Sequence, residues 1–162
     1  MSITPDFSRF KKEYEAGHNQ VIFAKLTSDL ETPVSIMLKL AGAKKNSFIL
    51  ESVTGGETRG RYSIIGMEPD LIWKCEGDKS FINSGNNEFT HVEGNPLSIF
   101  RNLLKRSSIK LPEDLPQASA GLFGYFGYDM VRHVEDLPNV NPDKIGLPDA
   151  MFIRPSIIAV LD

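Results

Sequence analysis

Cysteine is almost absent from this sequence of 162 residues. Cys75 is the only one, so no internal disulfide can form, and a lone thiol fits a reducing compartment. Long hydrophobic runs are lacking too. The longest, such as Ile157-Ile158-Ala159-Val160-Leu161, is far too short to span a bilayer. The first residues, Met1 to Asp6, contain no apolar core of a signal peptide. A soluble, cytoplasmic protein without a membrane role is therefore expected. Charge of one sign is not in excess either: 18 basic residues stand against 21 acidic ones, for a formal net charge of −3. That balance offers no broad attraction to phosphate backbones or anionic lipid, so nucleic acid is not an expected partner.

Several signatures of chemistry are missing as well. His18, His91 and His133 lie far apart in the chain, and none has a second ligand at zinc-site spacing. No G-x-S-x-G nucleophile elbow occurs, and neither the Rossmann nor the Walker glycine pattern is present. Cys75 sits in the alternation Ile72-Trp73-Lys74-Cys75-Glu76, which predicts a half-buried strand position, not a catalytic thiol. No catalytic residue and no metal ligand is assigned.

What remains has ordinary globular proportions. The apolar fraction is 41% and the charged fraction 24%. A chain of this length buries roughly 70% of the surface its unfolded form exposes, enough for one domain with a sizeable core. No internal repeat or low-complexity segment appears.

Three segments open with a capping residue followed by proline: Thr4-Pro5, Thr32-Pro33 and Asn95-Pro96. Proline loses nothing at the first helical position, and the preceding side chain can accept a bond from an orphan amide. The first helix is expected to run to Ala16, with Gly17 as the stop and Phe7, Phe10 and Tyr14 on an inward face. The second runs from Pro33 toward Ala41, with Val34, Met37, Leu38 and Ala41 inward and Gly42 as the C-terminal cap. The third places Leu97, Phe100, Leu103 and Leu104 on one face, and its final Lys105-Arg106 complements the helix dipole.

Between these helices the texture is that of strands. Val21–Leu26, Phe48–Val53, Tyr62–Met67, Leu71–Cys75, Ala120–Tyr128 and Met151–Leu161 are short apolar or alternating runs. Gly77-Asp78 and Ser84-Gly85-Asn86-Asn87 read as hairpin turns, and Lys110–Gln117 and Leu137–Pro148 as surface connections. Gly121, Gly124 and Gly127 recur every third residue in an aromatic strand, which predicts tight packing under aromatic rings. Successive strands joined by hairpins, interrupted by a few helices, predict an α+β fold: mainly antiparallel sheet with a few flanking helices.

The segment Ser47 to Gly66 is the richest in polar chemistry. An apolar strand ends in Glu51-Ser52, a polar loop with Gly55-Gly56 follows, and Arg61-Tyr62-Ser63 opens the next strand. Two readings stand. A carboxylate, a hydroxyl and a guanidinium at adjacent strand ends suit a small zwitterion, with its ammonium at Glu51. Alternatively, Glu51 and Arg61 form a structural ion pair with each other.

Ile49-Leu50-Glu51-Ser52 followed by Gly60-Arg61-Tyr62-Ser63-Ile64-Ile65-Gly66 resembles the amino-terminal signature of the anthranilate synthase large subunit, component I. Thr32-Pro33-Val34, Pro69-Asp70, Asn95-Pro96-Leu97 and Gly121 to Asp129 with Arg132 resemble further parts of that family, in order, over essentially the whole chain. Ile49 departs from the common leucine. The resemblance implies a chorismate-utilising lyase of tryptophan biosynthesis. It converts chorismate and ammonia, delivered from glutamine by a partner amidotransferase subunit, to anthranilate and pyruvate with magnesium.

By the same resemblance, residues 1–162 are the amino-terminal region, and the catalytic and magnesium-binding motifs lie beyond Asp162. The abrupt stop at Leu161-Asp162, in an apolar strand-like run, fits that reading. The chain alone is then expected to be inactive, with exposed apolar faces that favour self-association. Leu50, Glu51 and Ser52 are implied to contact L-tryptophan as feedback inhibitor, Ser52 foremost, with Arg61, Tyr62 and Ser63 as further candidates. The same region of aminodeoxychorismate synthase, or a stand-alone amino-acid-binding domain, are the alternatives.

Overall fold

A computed structural model of the chain describes residues 2–51, 61–86, 88–138 and 142–162. Its helices are α1 (Phe7–Glu15), α2 (Pro33–Leu40) and α3 (Pro96–Arg106). Its strands are β1 (Phe48–Leu50), β2 (Ser63–Glu76), β3 (Lys79–Asn83), β4 (Thr90–Val92), β5 (Phe123–Phe126) and β6 (Ala150–Leu161). Short 3-10 turns cover Gln117–Ser119 and Tyr128–His133. The strand order is β4-β3-β2-β6-β5, with β1 also paired to β2. The β1–β2, β2–β3, β3–β4 and β5–β6 ladders are antiparallel. This is the α+β architecture the sequence predicts.

The chain divides into two compact units. The first comprises Met1–Met67, Ser108–Ala120 and Ile157–Asp162. Its core gathers Ala41, Ile65 and Met67, with Ile36, Met37, Ile49, Ala159 and Leu161 packed around them. The second comprises Glu68–Ser107 and Gly121–Ser156. Trp73, Cys75, Phe100, Leu103 and Met130 anchor its core. Aromatic rings dominate there: Phe100 lies 4.9 Å from Trp73 and 4.6 Å from Phe152, centroid to centroid. The Trp73 indole N–H is buried and donates to Ser80 Oγ at 3.2 Å, which satisfies its one polar atom.

Two of the three helix starts fall where the cap signals place them. Thr32 Oγ1 accepts from the Ser35 amide at 3.1 Å while Ser35 Oγ accepts from the Thr32 amide at 2.9 Å, a reciprocal capping box. Gly42, at φ +52°, closes the helix with its N–H on the Met37 carbonyl. Asn95 caps α3 through the Ser98 amide at 3.1 Å. The first helix departs from expectation. Thr4 is drawn into a bridge with Phe23, the Thr4–Pro5 bond is cis, and Asp6 caps the helix through the Arg9 amide at 3.0 Å.

The inward faces also need correction. No residue of α1 is buried, and Phe7 and Tyr14 are largely exposed. In α2 the inward side chains are Ile36, Met37 and the following Ala41, while Val34 and Leu38 are exposed. Leu104 of α3 is likewise exposed, whereas Phe100 and Leu103 are buried as expected.

Three strand boundaries differ as well. Val21–Leu26 forms no strand, only the single bridge at Phe23. Tyr62–Met67 and Leu71–Cys75 merge into the one long strand β2 despite Pro69. Proline is tolerated because it falls between two ladders: β1 pairs with Ile64 to Gly66, and β3 pairs with Ile72 to Glu76. Glu68, at φ +51°, sits at the same changeover, and its carbonyl accepts from Ser156 Oγ at 2.6 Å. Ala120–Tyr128 shortens to β5, with Tyr128 passing into a 3-10 turn. The Gly77-Asp78 hairpin is as predicted, with Glu76 opposite Lys79 and Gly77 at φ +56°.

Candidate functional site

The predicted ligand segment belongs to the first unit, where β1 and β2 meet. Phe48 pairs with Gly66, Ile49 with Ile65 and Leu50 with Ile64. The antiparallel pairing therefore brings the Leu50 end of β1 beside the Ser63 start of β2. Ser52 and the loop with Gly55-Gly56 lie outside the described residues.

Alternation along β1 decides which side chains face outward. Ile49 joins the core of Ala41, Ile65 and Met67, so Phe48 and Leu50 take the opposite face. The Phe48 ring covers Gly66 so closely that a Cβ there would stand 2.3 Å from the ring. Leu50 retains 51% of its surface exposed, an apolar patch beside the polar strand ends.

Arg61 does not take Glu51 as its carboxylate. Its guanidinium grips both oxygens of Asp162 through Nε and the second terminal nitrogen, and it lies 5.2 Å from the Tyr62 ring centroid. The structural ion pair at this position is thus Arg61–Asp162. Asp162 raises the Arg61 pKa, and Arg61 holds Asp162 below its ordinary value.

An open depression of about 270 Å³ adjoins this pair, lined among others by Asp29, Glu31, Pro33, Arg61, Ser63 and Asp162. Of the predicted residues, Arg61 and Ser63 line it; Leu50, Glu51 and Tyr62 do not. Glu31 is engaged by Lys39 and by Ser35 Oγ, in that order of effect, and both hold its carboxyl below the usual range. Carboxylates and a guanidinium around one depression offer complements to both charges of a zwitterion. Sequence reading missed Asp29, Glu31 and Asp162. The acidic pair Asp29 and Glu31 just before the Thr32-Pro33 cap was the available signal for two of them, but nothing local links it to Arg61 or to Asp162.

The remaining sequence candidates resolve into structural roles. Cys75 is fully buried, not half-buried. Its thiol donates to the Gly77 carbonyl at 3.1 Å and lies 3.8 Å from His133 Nε2. Burial first, then the charges of Asp149, Asp78 and Glu76, push the thiol up to about 11, the opposite of an activated nucleophile. Two of the three rhythmic glycines answer to neighbouring backbone, not to rings, while Gly121 meets nothing within 4 Å and stands at φ +144°. A Cβ on Gly124 would stand 1.9 Å from the Met151 carbonyl oxygen, and one on Gly127 2.8 Å from that of Asp149. Arg132 donates from Nε to Asp129 at 2.7 Å and from a terminal nitrogen to the Leu137 carbonyl at 2.9 Å, which ties the turn after β5 to the connection that follows.

Among the described residues no group of three or more His, Cys, Asp or Glu side chains converges as a metal site. No described helix is long and apolar enough to cross a membrane.

These features define an α+β protein on a mainly antiparallel sheet, with a polar depression beside the β1–β2 strand ends. No family model matches the chain. Curated relatives do. Anthranilate synthase component 1 of Cereibacter sphaeroides is 56% identical over 160 residues, covering 96% of this chain and 32% of that protein. The same component of Acetivibrio thermocellus is 41% identical over 136 residues, covering 83% of this chain and 27% of that protein. Among solved structures, anthranilate synthase component I from Streptococcus pneumoniae superposes with a TM-score of 0.54 at 25% identity, over 86% of this chain and 29% of that one. The chain is a relative of anthranilate synthase component I and has the fold of that family's amino-terminal region. It spans about a third of the length of the curated relatives it matches.

Proposed function

We propose that this chain serves as the amino-terminal, tryptophan-responsive part of an anthranilate synthase large subunit. The complete enzyme converts chorismate and glutamine-derived ammonia to anthranilate and pyruvate, a lyase step toward tryptophan, with a glutamine amidotransferase subunit as partner. The observation that carries this reading is the 56% identity over 160 residues to component 1 of Cereibacter sphaeroides. The reaction uses magnesium, but the described residues hold no metal site. The proposed role of this chain is one of binding and control.

L-Tryptophan is the proposed ligand, held by Leu50, Glu51 and Ser52 with support from Arg61, Tyr62 and Ser63. The half-exposed Leu50 supplies apolar area for the indole. Glu51, the residue after the last β1 pair Leu50–Ile64, supplies a carboxylate for the ammonium. A ligand shifts an equilibrium only by its differential affinity for two states. Tryptophan seated here inhibits by favouring an arrangement of the enzyme that turns over poorly.

The test of the enzyme assignment is the product. The full-length protein carrying this sequence, supplied with chorismate, magnesium and ammonia, should release anthranilate, recognised by its fluorescence. Accumulation of aminodeoxychorismate instead would overturn it.

A further inference from the structure

We draw no further inference here: the strongest candidate, the outer edge of strand β5 with the exposed aromatic side chains of Tyr125, Phe126 and Tyr128, carries nothing because nothing in the structure shows what covers it.

Discussion

Leu50 lies opposite Ile64 in the antiparallel β1–β2 ladder, the pair at which that ladder ends. That pairing sets the Leu50 end of β1 beside the Ser63 start of β2, and the proposed tryptophan site is built on it.

The most severe backbone constraint is at Gly124. Its missing Cβ leaves room for the Met151 carbonyl, which would otherwise be 1.9 Å away. Gly124→Ala must push β5 off β6, and a cost of at least about 1–3 kcal/mol is expected. Thermal unfolding followed by circular dichroism reads it. An unchanged midpoint would show that β5 does not lie as close to β6 as described.

Ser80→Ala isolates the buried hydrogen bond to Trp73. The indole N–H, fully enclosed, would lose its acceptor at 3.2 Å, at a cost of about 1–3 kcal/mol. Urea titration with tryptophan fluorescence reads that cost, since Trp73 is the only tryptophan. A midpoint within error of the parent would contradict the pairing.

Cys75 should be silent toward thiol reagents. It is fully buried, and its pKa of about 11 leaves little thiolate at neutral pH. Ellman's reagent should leave native protein unlabelled over minutes and titrate one thiol after denaturation. Rapid native labelling would place Cys75 at the surface.

Much of the fold was legible because its signals are local. The capping box at Thr32, the Asn95 cap and the Gly77-Asp78 hairpin all act within a few residues, and each appears as read. Failures arose where distant partners decide. Thr4 looks like a cap, but its backbone pairs with Phe23, so the cap passes to Asp6. Pro69 looks like a strand break and is tolerated because β2 changes partner around it. The faces of α1 and α2 were misplaced because periodicity shows that a face exists, while only tertiary packing shows which residues it buries. Around the depression, Arg61 and Ser63 were legible from their segment. Asp162, 101 residues from Arg61, was not.

The exposed ion pairs set an acid-side dependence. Asp162 is held below its ordinary value of 3.8 by Arg61, and Glu31 below 4.5 by Lys39 and then Ser35. For a depressed carboxyl the contribution is complete above the unfolded pKa and is lost as pH falls through the folded one. Stability should therefore be flat above about pH 5 and decline gently below it. The decline should flatten in high salt, because exposed charges are screened. A midpoint that rises between pH 5 and 3 would reverse the assigned signs.

Tryptophan control through the Leu50-Glu51-Ser52 segment is the central claim, and inhibition of the full-length enzyme tests it most directly. Initial rates of anthranilate formation would be measured against rising L-tryptophan for the parent protein and for Ser52→Ala. The expected result is inhibition of the parent at a concentration at least tenfold lower than for the variant, with uninhibited turnover within about twofold, a difference of about 1.4 kcal/mol in inhibitor affinity. Superimposable inhibition curves for the two proteins would contradict it.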